Sequence, residues 1–383
     1  MTCRYAQKLN QLAKKGRLRN VRPVESGAYH LNLSSNDYLG LGNDEELQRE
    51  FFAGRCAANA KEFRLAASSS RLLTGDSQLG HDLEKELAQA FQSEAALLFN
   101  SGYHANIGIL PTLFGKRDLI LSDKLNHASI HDGFRLSRAH CKRYGHCDYT
   151  QLRTLLTKYR NQYEQVVIVS ESVFSMDGDV ADIEQLVAIK KEFNTMLYID
   201  EAHGVGLYGP KGLGKVEEMQ QLANVDLLVG TFGKAWASIG AFVCCSSIIR
   251  SYLINHSRSF IFTTGLPPLT VNWNRYVFQK SLKMHDARQY LQNISAKLRA
   301  SLQERGVETG GDSNIIPIAI GEDNDAVQLA AAMQERGYLI LPIRPPAVPE
   351  GTARFRLSLC ADMSWKDLEK VPPLITEIMS CRQ

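Results

Sequence analysis

Met196-Leu197-Tyr198-Ile199-Asp200-Glu201-Ala202-His203-Gly204 is an apolar run that ends on an acid and leads into a histidine. A second run, Val225–Gly230, leads into Thr231-Phe232-Gly233-Lys234. Runs this short and this apolar suit strands buried on both faces. Ala95–Phe99, Leu119–Ser122, Val166–Ser170 and Ala241–Cys245 repeat the pattern, with helix-length segments between most of them. That alternation predicts an α/β domain built on a mostly parallel, doubly covered sheet. In such sheets ligands lie beyond the carboxyl ends of the strands. Three neighbouring strands here end in chemistry: Asp200 with His203, Thr231 with Lys234, and Ser170-Glu171-Ser172 leading to Phe174-Ser175-Met176-Asp177-Gly178-Asp179.

The flanks read differently. Residues 1–25 suggest an amphipathic helix followed by a basic stretch of Lys14, Lys15, Arg17, Arg19 and Arg22. Beyond about residue 275 comes a long helix, Ala287–Arg305, then a strand (Asn314–Gly321) and a helix (Asp325–Arg336). Two further strands (Tyr338–Ile343, Arg354–Leu359) and a final helix from about Ser364 complete a smaller C-terminal α+β domain. The expected division is an N-terminal helix and arm at 1–40, a large domain at 41–275 and a small domain at 276–383. A chain of 383 residues is long for a single core. Its 44% hydrophobic and 22% charged residues are those of a globular protein, and a net charge of +3 announces no nucleic acid. No apolar run approaches 18 residues, so no membrane span is expected. The N-terminus lacks the apolar core of a secretory signal. The eight cysteines, Cys3, Cys56, Cys141, Cys147, Cys244, Cys245, Cys360 and Cys381, are scattered, which suits a reducing cytoplasm. Cys244 and Cys245 read as core residues.

The strand-end residues match the needs of pyridoxal-5′-phosphate (PLP). A lysine must form an imine with its aldehyde, and a carboxylate must keep its ring nitrogen protonated. A donor should meet the phenolic oxygen, and backbone N–H groups at a helix start should hold the phosphate. Lys234, Asp200 and His203 offer the first three. Ser101-Gly102-Tyr103 offers a small-residue turn opening a helix, and Thr231 adds a hydroxyl. Alone, each has a bland reading: the acid as a turn or cap residue, the lysine as solvated surface, the histidine as structural. Their combination carries the argument.

These residues resemble the α-oxoamine synthases of PLP fold type I. Besides Asp200–Gly204 and Thr231–Lys234, the similar stretches are Ser34-Ser35-Asn36-Asp37-Tyr38-Leu39-Gly40, Ser70-Arg71-Leu72-Leu73-Thr74-Gly75 and Phe174–Asp179. The likeness runs from about residue 5 to 375. Ile343-Arg344-Pro345-Pro346-Ala347-Val348-Pro349 with Gly351-Thr352-Ala353-Arg354 is most similar to the biotin-synthesis branch, which condenses L-alanine with a pimeloyl group on coenzyme A or acyl carrier protein.

The resemblance implies a role for each matched residue. Lys234 carries PLP and removes the α-proton of alanine. Asp200 partners the ring nitrogen, His203 meets the phenolic oxygen and His127 stacks on the ring. Ser175, Gly102, Tyr103 and Thr231 lie beside the cofactor, and Thr264 reaches the phosphate of a neighbouring subunit in a homodimer. Arg356 clamps the amino-acid carboxylate, with Arg19, Asn36 and Ala347 toward the substrate. Two places depart from the family's usual pattern: Arg64-Leu65-Ala66-Ala67-Ser68-Ser69-Ser70 replaces a Gly-rich stretch, and Ala347 stands where Thr is usual. Both bear on the acyl substrate rather than on PLP chemistry.

Rival readings are weaker. Gly204-Val205-Gly206-Leu207-Tyr208-Gly209 spells GxGxxG, yet three residues separate it from the strand and Pro210 follows. Gly209-Pro210-Lys211-Gly212-Leu213-Gly214-Lys215-Val216 nearly spells a P-loop but ends in Val216, not a hydroxyl. His127 and His131 are four apart, with no third metal ligand at a sensible spacing, so no metal is expected. Another α-oxoamine synthase using glycine or serine, or a non-catalytic binding protein of the PLP fold, are the functional alternatives.

Overall fold

The computed structural model describes residues 2–21, 23–24, 27–53 and 60–380. Arg22, Cys56 and Cys381 lie outside the described residues. The strands in chain order are β1 Leu31–Asn32, β2 Ala95–Phe99, β3 Leu119–Asp123, β4 His140–Tyr144, β5 Val166–Glu171 and β6 Met196–Asp200. They continue as β7 Leu227–Thr231, β8 Ala241–Cys245, β9 Ile315–Gly321, β10 Tyr338–Leu339, β11 Pro342–Ile343 and β12 Ala353–Ser358. The chain divides into two compact units. One holds residues 37–174 and 181–288, the other residues 1–36, 175–180 and 289–383.

The larger unit is built on a seven-stranded sheet of order β2-β8-β7-β6-β5-β3-β4. Neighbours from β7 through β4 run parallel, while β8 is antiparallel to both β2 and β7. Successive side chains of a strand point to opposite faces, and both faces are covered. Leu97, Phe99, Val167, Val169, Tyr198, Val229 and Val243 pack with Ala105, Ile109 and Leu110 of the helix Gly102–Leu113. Phe242, next to Val243, meets the rings of Phe91 and Trp236 instead. Each such aliphatic or Phe side chain contributes about 1.5–3 kcal/mol when fully buried. The apolar runs are therefore strands because both of their faces leave water. β4, His140-Cys141-Lys142-Arg143-Tyr144, escaped the sequence reading because it is an edge strand and largely exposed.

The smaller unit holds an antiparallel sheet of order β11-β12-β9 and a parallel pair, β1 with β10. The single strand expected over Tyr338–Ile343 is two pieces. Between them Leu341 N–H donates to Ser34 Oγ (2.9 Å), and the chain changes partner.

The unit boundaries differ from the expected 40/41 and 275/276. The helix Pro268–Ser281 buries Val271, Val277 and Phe278 and packs on the helix Gln78–Ala90, so the larger unit extends to Arg288. The N-terminal segment is no separate arm: Leu33 pairs by backbone with Leu339 and Ser358. Ser175–Val180 joins the smaller unit because Gly178 O accepts from the N–H groups of Asp312 and Ser313. The approach is so close that a Cβ on Gly178, whose φ is +68°, would strike the Ile315 carbonyl. Among the described residues no helix is long and apolar enough to cross a membrane. Cys3, Cys141, Cys147, Cys244, Cys245 and Cys360 are free thiols, and Cys244 and Cys245 are buried in β8.

Candidate active site

The carboxyl ends of β5, β6 and β7, together with the turns after β2 and β3, enclose a cavity of about 170 Å³. Gly102, Tyr103, His127, Asp200, His203, Thr231 and Lys234 line it together. Parallel register is what brings them there: β5 pairs Glu171 with Asp200, and β6 pairs Asp200 with Val229 near the end of β7.

Asp200 is buried, with Oδ1 accepting from Ala202 N–H and Oδ2 from the Asn106 amide, each at 2.9 Å. Lys234 Nζ lies 2.7 Å from His203 Nε2, and His203 Nδ1 lies 2.7 Å from the Tyr38 hydroxyl. Thr231 Oγ1 donates to Gly240 O (2.9 Å) and accepts from Gly233 N–H (3.1 Å). Its one proton thus ties the turn that presents Lys234, and in this arrangement it is not donated into the cavity.

The helix Gly102–Leu113 begins at the cavity, capped by Ser101 Oγ, which accepts from His104 N–H. A helix start presents N–H groups and partial positive charge. A Cβ at Gly102 would meet nothing within 4 Å, so this end is open.

His127 caps the helix Ala128–Leu136, and its N–H donates to Glu171 Oε1. Burial lowers the His127 pKa, the Asp200 charge opposes that, and the Lys234 charge adds to it. Burial pushes Glu171 well above the usual carboxyl range, helped by the charge of Asp200.

An amine, a carboxylate, two imidazoles and an open helix N-terminus around a small cavity fit PLP. Lys234 would bond its aldehyde, Asp200 face its ring nitrogen, and Gly102 and Tyr103 offer N–H groups to its phosphate.

Asn36, Ser175 and Arg356 come together within the smaller unit: Arg356 donates from Nε to Ser175 O and from Nη1 to Asn36 Oδ1 (3.2 Å). Arg19 Nη2 donates to Pro345 O (3.1 Å), and Ala347 is exposed in the same loop, where its N–H donates to Arg344 O. Thr264 belongs to the larger unit but does not line the cavity; its carbonyl accepts from Asn100 Nδ2 (2.8 Å).

The sequence reading placed Glu171 at a strand end and quoted Tyr38 within a family stretch, but gave no site role to Asn106, Ser129, Glu171 or Tyr38. Glu171 ends its strand just as Asp200 does, and Tyr38 sits inside the stretch Ser34–Gly40. Asn106 is a polar residue one turn beyond Gly102 in an otherwise largely apolar helix. The GxGxxG-like stretch makes turns rather than opening a helix at once: Gly206 N–H donates to Gly212 O, and a four-residue helix starts only at Lys215.

Residues 29–372 match the family described as aminotransferase class I and II. The chain is 49% identical over 380 residues to the 8-amino-7-oxononanoate synthase of Chlorobaculum parvum, covering 99% of this chain and 96% of that protein. Its fold is similar to serine palmitoyltransferase from S. paucimobilis with a PLP–myriocin aldimine bound, with a TM-score of 0.89, 26% identity, and coverage of 98% and 97%. It is also similar to the 8-amino-7-oxononanoate synthase structure from Francisella tularensis, with a TM-score of 0.78, 27% identity, and coverage of 92% and 98%.

Proposed function

The chain belongs to the aminotransferase class I and II family and, within it, to the 8-amino-7-oxononanoate synthases, and on that premise we propose that it condenses L-alanine with a pimeloyl thioester. The products are 8-amino-7-oxononanoate, carbon dioxide and the free thiol of coenzyme A or acyl carrier protein. The observation that carries this reading is the meeting of Lys234, Asp200 and His203 in one cavity at the ends of adjacent strands.

PLP supplies an electron-withdrawing ring that stabilises negative charge at the amino-acid Cα. Asp200 holds a proton at the ring nitrogen. His203, oriented through Tyr38, would donate toward the phenolic oxygen, and the His127 imidazole would stand against the ring. The Lys234 amine takes the Cα proton; it is an effective base near neutrality only if its surroundings depress its pKa. Arg356 is assigned to the alanine carboxylate from its match to the family motif, a task suited to a planar guanidinium. The same match assigns Arg19, Asn36 and Ala347 to substrate and Ser175 to the cofactor's surroundings. Thr264 is assigned to the neighbouring site of a homodimer, and the free thiols favour a cytoplasmic enzyme.

Reduction of the PLP-loaded protein with borohydride, followed by peptide mass analysis, should place the pyridoxyl group on Lys234. Turnover of pimeloyl thioester should be faster with alanine than with glycine or serine. A pyridoxyl group on Lys215 instead, or a preference for glycine or serine, would overturn the reading.

A further inference from the structure

We propose that Asn106 is a positioning residue that joins Asp200 to His127 through one directed chain of hydrogen bonds, holding both at fixed orientation and His127 in one tautomer. The proposal rests on the PLP reading above. Asn106 is 1% exposed and stands at the cavity wall. Its Nδ2 donates to Asp200 Oδ2 (2.9 Å) and to Ser129 Oγ (2.8 Å), and its Oδ1 accepts from the Tyr198 hydroxyl.

The directions follow from proton counting. Tyr198 is fully buried in β6, and burial, with the charge of Asp200, keeps its phenol protonated. A phenol donating to Asn106 identifies Oδ1 and prevents the amide from flipping. The NH₂ group must then face Asp200, whose carboxylate only accepts. Ser129 Oγ accepts the second amide proton, so its own proton is free for His127 Nδ1 at 2.8 Å. That nitrogen also accepts from Ser129 N–H (3.2 Å). Two donors at Nδ1 leave the ring proton on Nε2 and the imidazole neutral. Tyr198 thus donates to Asn106, Asn106 to both Asp200 and Ser129, and Ser129 to His127, so the line ends on both cofactor-facing groups. The charged or titratable groups facing that line are Lys234, Glu171 and, beside His127, Asp132.

Asn106→Asp keeps the shape but replaces the donating NH₂ with an oxygen against Asp200. In the PLP-loaded protein the pH midpoint of the visible cofactor band should move by about one unit or more. PLP affinity, measured by absorbance titration, should fall roughly tenfold or more, as for loss of a hydrogen bond to a charged group. The ¹⁵N spectrum of wild-type His127 should show the Nε2–H tautomer, and Asn106→Asp should lose that preference. Tyr198→Phe removes the lock on the amide and should move the same midpoint less; it serves if Asn106→Asp does not fold. A wild-type chain that takes no PLP onto Lys234 refutes the PLP reading itself. A chain that does take it up, but whose folded Asn106→Asp and Tyr198→Phe variants keep the wild-type midpoint and tautomer, overturns this inference, whatever their affinities.

Discussion

His127 and Glu171 show how single side chains set the charge of the cavity. Burial is the main cause of the depressed His127 pKa, and Lys234 depresses it further by like-charge repulsion. In cofactor-free protein, Lys234→Ala should therefore raise the His127 pKa, read from ¹³C or ¹⁵N shifts against pH. An unchanged or lower value would show that the amine does not act on that imidazole. Glu171 moves the other way. Burial and the neighbouring Asp200 charge push its pKa up, against the Lys234 charge and the hydrogen bond from His127 N–H.

At the scale of elements, Glu201 ties the turns between β6 and the helix Lys215–Glu218 to the sheet. Its oxygens accept from Ser172 Oγ and from Val216 N–H (2.7 Å), and a Cβ on Gly204 would strike it. Burial pushes Glu201 up to about 7, against the hydrogen bonds from Ser172 and Val216. An unfolded Glu releases its proton near pH ~4.3. Between about pH 4.3 and 7 the folded chain holds a proton that the unfolded chain has lost, so this group's contribution to stability falls as pH rises. The slope is at most roughly 1.4 kcal/mol per pH unit. Above the folded pKa it flattens. Glu201→Gln removes that slope. Denaturant unfolding at pH 5 and pH 8 should show the variant gaining on the wild type at the higher pH. A constant difference between the two proteins at both pH values would mean that Glu201 does not titrate in this window.

For the whole molecule, the proposed homodimer rests on Thr264. It is exposed on a single chain, two residues from Phe262, which is 70% exposed, and it does not line its own chain's cavity. If each site takes Thr264 from the other subunit, a hybrid of Lys234→Ala and Thr264→Ala chains regains one intact site of two. Mixed refolding should then restore up to half the wild-type activity per hybrid, with hybrid formation checked by native mass analysis. Hybrids no more active than the Thr264→Ala parent would place Thr264 outside the shared site.

Much of the architecture was legible because burial leaves a compositional trace. β2, β6 and β8 begin and end where their apolar runs do, since a strand covered on both faces excludes polar residues. Asp200, His203 and Lys234 stood out because each interrupts or follows such a run, where ligands of parallel sheets lie. What the tertiary structure decided is which distant groups meet. The insertion of β8 between β2 and β7 leaves no mark in local composition, and neither does the recruitment of Ser175–Val180 to the smaller unit. Asn106 reaches Asp200 across 94 positions, and Tyr38 reaches His203 across 165. Pairing of buried polar groups is non-local: nearly every buried donor finds an acceptor somewhere in the packed interior, and only the folded chain determines which one.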